Sequence, residues 1–239
     1  MTKLSPQTRD KLKSVSAATL TTCLFKRGLR NQFLQDVHPL NPQAGPMVGE
    51  AYTLRNIPAR EDLDQLNVYR DHDHPQRKAV EECPAGAVLV IDSRKDARAA
   101  SAGGILVTRL MQRGVAGVVT DGGFRDSPEI AGLAIPAYHS CPSAPTSLTR
   151  HHAVDINLPI GCGDVAIFPG DVMVGDAEGV VVVPAHLADE IAAEAVEMTA
   201  FEDFVTEEVK KGRSILGLYP PTDPQSLTDF ATWRKARGR

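Results

Sequence analysis

Apolar residues return every three or four positions early in the chain: Leu12, Val15, Leu20, Leu24 and Leu29 make one stripe, with Ser5-Pro6 as a start signal and Gly28 near its end. One or two helices are predicted there. A Pro- and Gly-punctuated stretch, 38–46, precedes Met47-Val-Gly-Glu-Ala-Tyr-Thr-Leu54, whose alternation predicts a half-buried strand followed by a strongly charged loop. Residues 77–83 read as a short helix. Ala87-Val-Leu-Val-Ile-Asp92, bounded by Pro84 and Gly86, is a continuous apolar run of strand length and is expected to be buried. Residues 101–113 read as a helix stopped by Gly114, and 115–121 as a second buried strand, which together predict a β-α-β unit with a parallel pair. Further short strands are expected at 134–139, 154–158, 164–168 and 180–183. Helical spacing returns over 185–211 through Leu187, Ile191, Ala195, Met198, Phe201, Val205 and Val209. The tail, with Pro220, Pro221 and Pro224, is expected to lie on a neighbouring surface. No repeat, low-complexity tract or linker interrupts the pattern, so residues 1–239 read as a single α/β domain.

Composition narrows the partners. A chain of 239 residues with 42% hydrophobic and 23% charged residues can bury one sizeable core or two small ones, and one domain is the simpler reading. The formal net charge is −4 and no dense Lys/Arg block occurs, which disfavours nucleic acid, because phosphate contacts need clustered cations. Met1-Thr-Lys-Leu-Ser-Pro6 lacks the apolar centre of a leader and no run is long enough to cross a bilayer, so a cytoplasmic location without membrane contact is expected. Cys23, Cys83, Cys141 and Cys162 are widely separated with no C-x-x-C pair, and read as reduced structural thiols.

Three segments concentrate unusual residues. Ser101-Ala-Gly-Gly-Ile-Leu106 lies between a strand and a helix, where free backbone N–H groups and the helix dipole favour an anion such as a carboxylate. Alone, Gly103-Gly104 also fits an ordinary turn. Thr120-Asp-Gly-Gly-Phe-Arg-Asp-Ser-Pro-Glu129 follows the carboxyl end of a buried strand, where ligand crevices of parallel sheets form. Arg125 offers a fork of donors suited to an oxo or carboxylate oxygen, and Asp126, Glu129 and Asp121 offer the hard oxygens that Mg2+ or Mn2+ prefers. A surface turn in which Arg125 pairs with a nearby carboxylate is the alternative. Residues 169–184 read as hairpin turns between short strands. Arg70-Asp-His-Asp-His-Pro75 and His151-His152 read as solvated polar stretches. No G-x-S-x-G, P-loop or dinucleotide fingerprint is present.

Taken together these segments resemble the RraA-like family, which includes 4-hydroxy-4-methyl-2-oxoglutarate and 4-carboxy-4-hydroxy-2-oxoadipate aldolases and the ribonuclease E inhibitor RraA. The likeness runs from about Ser16 to Met198. It is carried by Gly103-Gly-Ile-Leu106, Gly114-Val-Ala-Gly-Val-Val-Thr-Asp-Gly-Gly-Phe-Arg-Asp126, Pro169-Gly-Asp171 and Gly175-Asp-Ala-Glu-Gly-Val-Val-Val-Val-Pro184. The resemblance implies a swivelling β/β/α fold with N- and C-terminal helices, assembled as a homotrimer or homohexamer with sites near subunit interfaces. It implies that amides of Gly103, Gly104, Ile105 and Leu106 hold the carboxylate of a small 2-oxo acid, that Arg125 contacts the 2-oxo oxygen, and that Asp126 anchors the divalent metal. Expected activities are metal-dependent aldol cleavage to pyruvate and oxaloacetate decarboxylation, or, on the RraA branch, non-catalytic binding of a ribonuclease. The family's aldolases often carry an acidic residue at the position of Gly104, helping to order metal-bound water. Glu129, Asp121 or a carboxylate from a neighbouring subunit are the replacements this chain offers.

Overall fold

A computed structural model describes residues 4–238; Met1 to Lys3, on which part of the leader reading falls, lie outside the described residues, as does residue 239. The amino-terminal stripe forms two helices, α1 (Pro6–Lys13) and α2 (Ala17–Phe25). Each begins on a serine whose hydroxyl accepts a backbone N–H three residues on, Thr8 from Ser5 and Thr19 from Ser16, both at 3.0 Å. A two-residue strand, β1 (His38–Pro39), precedes the long β2 (Met47–Pro58), then come α3 (Pro75–Glu82) and the fully buried β3 (Val88–Asp92). Next are β4 (Ala100–Ala102), α4 (Gly104–Gln112), β5 (Gly117–Thr120), β6 (Gly123–Phe124) and α5 (Ser127–Ala131). The second half is rich in strands: β7 (Ala137–His139), β8 (Cys141–Pro142), β9 (His151–Ile156), β10 (Ile160–Cys162), β11 (Val165–Ile167), β12 (Val172–Gly175) and β13 (Val180–Val183). Two helices close the chain, α6 (Ala188–Lys210) and α7 (Pro224–Arg237).

Eight strands form the main sheet, in the order β1-β7-β5-β3-β2-β12-β13, with β9 also on β2. The run β2-β3-β5-β7 is parallel, as the buried apolar strands predict, while β1, β9, β12 and β13 pair antiparallel. Strand β2 is longer and more buried than its alternation predicts, because both edges are covered. β3 takes one edge over Ala51–Arg55, and the other is shared by β12 over Met47–Glu50 and β9 over Leu54–Pro58. The hairpin β10-β11 lies apart from this sheet in pairing, and β4-β6-β8 form a small all-parallel sheet. The result is a mixed α/β fold with a nearly closed sheet.

Three apolar layers hold it. Ala79, Val80, Val107, Leu110 and Ile130 from α3, α4 and α5 pack on Leu89, Ile91 and Val118. On the far side Leu12, Leu20, Leu24 and Ile191 from α1, α2 and α6 cover β12 and β13 through Val174, Val181 and Val183. A third cluster joins β2, β3, β5 and β12 to Ile160, Val165 and Ile167 of the β10-β11 hairpin. The tail lies on a neighbouring surface, as expected, but in helical form: its prolines precede a 14-residue helix, with Asp223 accepting from the Gln225 N–H at 3.0 Å and Pro224 in the first turn, where a missing N–H costs nothing. Phe230 and Trp233 of that helix pack on Phe201 and Phe204 of α6 as a separate apolar cluster. The helix predicted from Ser101 starts at Gly104, because Ala100–Ala102 are drawn into the small parallel sheet.

Candidate active site

Gly103 and Gly104 lie where β4 passes into α4, and Arg125 and Asp126 where β6 passes into α5. Parallel pairing of β4 with β6 brings the two junctions side by side, and the Arg125 N–H donates to Ala102 O at 3.1 Å. Gly103 caps α4 in an extended conformation and has no side chain to offer the first turn. The amides of Gly104, Ile105 and Leu106 therefore have no acceptor within the helix and form an anion-binding end.

Asp126 takes one of them: its Oδ2 accepts from the Gly104 N–H at 3.2 Å. It stands at the N-cap position of α5 but makes no capping bond there, since its left-handed backbone, φ 58°, turns the carboxylate across to α4. For a residue other than glycine that conformation costs on the order of 1–2 kcal/mol. Its other oxygen has no hydrogen-bond partner among the described residues. The Arg125 Nε is 3.6 Å from Asp126 Oδ2, and the Arg125 side chain remains about half exposed, free to meet a ligand.

The two glycines make this convergence possible. A Cβ at position 103 would stand 2.7 Å from Arg125 Cγ and 2.9 Å from Asp126 Oδ2, too close to coexist with either. At position 104 a Cβ would stand 3.0 Å from Glu129 Oε2, so the Glu129 carboxylate borders the space that a residue-104 side chain would enter. Where the resembled aldolases often carry an acidic residue on α4, an acid here arrives from the first turn of α5. Asp121 is not brought to this cluster. It is buried, accepting from the N–H groups of Ser93 at 2.7 Å, Lys95 at 3.2 Å and Gly163 at 3.3 Å, and burial pushes its pKa up in spite of those bonds. Its carboxylate is occupied in holding the turn after β3.

Beneath the junctions, three buried hydroxyls bond to one another: Ser93 to Ser101 at 2.6 Å, Ser101 to Thr120 at 2.7 Å and Thr120 to Ser93 at 3.0 Å. They tie the ends of β3 and β5 to β4. His139 of β7 is buried against the Phe124 ring, with centroids 5.6 Å apart, and burial foremost, then the nearby His38, lowers its pKa to about 4.

A cavity of about 300 Å3 opens over the cluster, small for a ligand site but of the right order for a short acid. Gly103, Ile105, Leu106, Arg125 and Asp126 form one wall. Tyr69, Gln76, Arg77 and Ser147 form another. This second wall is supplied by the charged stretch after β2, by the start of α3 and, at Ser147, by the turn before β9; an aromatic residue and a Gln-Arg pair inside a hydrophilic run are its only sign in the sequence. Among the described residues no group of three or more His, Cys, Asp or Glu is placed to hold a metal ion, and no helix is long and apolar enough to cross a membrane.

Comparison with known proteins identifies the family and the fold. The family model described as Aldolase/RraA matches residues 14–182. Over 186 residues the chain is 32% identical to a Halalkalibacterium halodurans protein named "Putative 4-hydroxy-4-methyl-2-oxoglutarate aldolase", covering 77% of this chain and 81% of that one. It is 29% identical to a 4-hydroxy-4-methyl-2-oxoglutarate aldolase of Thermus thermophilus, over 65% of this chain and 92% of the other. Among solved structures, Streptomyces coelicolor RraAS2, described as an unusual member of the RNase ES inhibitor RraA family, superposes with a TM-score of 0.75 at 29% identity, covering 85% of this chain and 98% of that one. The match spans the main sheet as far as Val182 and both strand-to-helix junctions, and the chain belongs to the RraA-like family.

Proposed function

We propose that this site cleaves the C3–C4 bond of a 4-hydroxy-2-oxo acid to release pyruvate, and decarboxylates oxaloacetate through the same enolate. The observation that carries the reading is the convergence of Arg125, Asp126 and Glu129 on the amino end of α4, in space that Gly103 and Gly104 leave open. The Ile105 and Leu106 amides bind the substrate carboxylate. Arg125 donates to the 2-oxo oxygen and stabilises the negative charge that gathers there as the bond breaks. Glu129 takes the C4 hydroxyl proton; the C3–C4 electron pair moves to C2 and its oxygen, the C4 fragment leaves as a carbonyl compound, and protonation at C3 gives pyruvate. With oxaloacetate, carbon dioxide is the leaving fragment.

The donor set fits a hard divalent cation. One oxygen of Asp126 is unengaged and Glu129 lies beside it, and Mg2+ commonly takes only one or two carboxylates while keeping several waters. Asp126 would hold Mg2+ or Mn2+, with Glu129 reached through water. When bound there, the ion supplies Lewis acidity at the 2-oxo oxygen. The same proposal includes a cytoplasmic trimer or pair of trimers, supported by Leu66 and Ile105, apolar side chains 75% and 84% exposed beside the cavity, which subunit contact would cover.

The test is pyruvate release from oxaloacetate and from 4-hydroxy-4-methyl-2-oxoglutarate, with Mg2+ or Mn2+ and again with EDTA, for the wild type and Asp126→Ala. Metal-dependent release that the substitution abolishes supports the reading. Equal release by Asp126→Ala sinks it. Likeness to the RNase ES inhibitor family favours one other reading, a non-catalytic protein that masks a ribonuclease. That protein would give no turnover with any metal and would retain a ribonuclease on purification.

A further inference from the structure

Among the described residues α2 is the one α-helix of seven without a charged side chain. Its Leu20, Cys23 and Leu24 pack into the core. The opposite face, Ala18, Thr21, Thr22 and Phe25, has the i, i+3, i+4, i+7 spacing with which one helix packs on another, and Phe25 at its end is 59% exposed. With Leu29 and Phe33 this face lines a groove of about 540 Å3, larger than the cavity over Arg125. A neutral outward face that ends in an open phenylalanine is the kind of surface another protein covers.

The groove also holds one cation and one anion, Arg30 and Glu178, and neither has an ion pair among the described residues. Arg30 lies over the Phe25 ring, 5.5 Å from its centroid, whereas the neighbouring Lys26 and Arg27 both pair with Glu194, at 2.9 Å and 2.5 Å. Glu178 stands in the turn between β12 and β13, and that turn is fixed against the groove at two points. Asp176 Oδ2 accepts from the Ala17 N–H at 2.7 Å, and Gly179 sits so close to Phe33 that a Cβ there would stand 2.7 Å from its Cζ. The two free charges are therefore held in one groove without meeting. A neutral face with one free charge of each sign beside it is complementary to a copy of itself rotated by half a turn, which is what a twofold contact requires.

We propose that this groove is a twofold contact between two copies of the chain, in which α2 packs against α2 of the partner and Arg30 of each copy pairs with the partner's Glu178. The contact goes beyond the proposed chemistry and does not depend on it, because groove and cavity share no lining residue. It belongs to a dimer or to a pair of trimers and has no place in a lone trimer.

The test is sedimentation of a dilution series in low-salt buffer, where screening is least, for the wild type, Arg30→Glu, Glu178→Arg, the double variant and an equimolar mixture of the two single variants. The wild type should sediment as a dimer or a pair of trimers that halves on dilution. Each single reversal sets like charges together at both symmetric points and should raise the dissociation constant for that halving by about tenfold or more. The double variant should recover the wild-type constant. So should the mixture, because a copy with two acids in its groove then meets a copy with two bases; its recovery also shows that both single variants fold. A wild type found only as a monomer or a lone trimer overturns the contact. Single variants that match the wild type overturn it too, as does a mixture that stays weakened.

Discussion

Gly103 shapes the site through the methyl group it lacks. Alanine there would press on Arg125 Cγ at 2.7 Å and on Asp126 Oδ2 at 2.9 Å, so Gly103→Ala should lower pyruvate release by about tenfold or more through misplacement alone. Melting temperature should change little, because the displaced groups face the cavity. Arg125→Ala should cost on the order of 100-fold in turnover, the usual loss of one donor to a developing oxyanion, read from steady-state rates. His139 gives a pH signature of a different kind. Its folded-state pKa, about 4, lies below the ordinary 6.5, so stability is complete above 6.5 and is lost as pH falls toward 4. Asp92 opposes it, since burial lifts its pKa to about 6 and the protein gains from its protonation over part of the same range. Denaturation of the wild type and of His139→Leu from pH 7 to pH 4 should isolate the histidine, whose contribution amounts to on the order of 2–3 kcal/mol. Arg125, Asp126 and Glu129 were legible as candidates because hard charges crowd a glycine turn after a buried strand. Tyr69, Gln76 and Arg77 were not, because only the folding of one wall against another sets them opposite Arg125.

Among elements, the parallel pair β3 and β5 could be read directly, since continuous Val, Leu and Ile runs between Pro and Gly have few other solutions. Strand β4 could not. Ala100-Ser-Ala102 has the local preferences of a helix start, and its extended form exists because β6 bonds to it. Helix α7 was not legible either: its segment was expected only to lie on a neighbouring surface, and the proline that opens the helix gives no periodic signal. Close packing between strands is testable at Gly117 of β5. A Cβ there would overlap Met47 Sδ and stand 2.7 Å from its Cγ, with Pro136 O behind at 3.2 Å. Gly117→Val should cost about 1–3 kcal/mol, seen as a lower urea midpoint with an unchanged slope, and a wild-type midpoint would refute the fit.

At the scale of the molecule, the aromatic cluster of α6 and α7 is separate from the three central apolar layers, and it contains Trp233, the one tryptophan of the sequence. Trp233 fluorescence should therefore change at lower urea than far-UV circular dichroism, reporting α7 leaving α6 while the sheet persists. Coincident transitions would show that the helix is part of the same cooperative unit. The shared edge of β2 bears on how the chain reaches this state. Arg55 and Asp155, joined by an ion pair across β2 and β9, are 100 positions apart, and the partners of Met47–Glu50 in β12 come later still. At a synthesis rate of roughly 5–20 residues per second, β2 emerges from the ribosome with that edge open for about 5–20 seconds before β9 follows. During that interval this edge of β2 lacks its native partners although β3 covers the other, so expression yield should be governed by elongation speed and by chaperones that shield nascent strands.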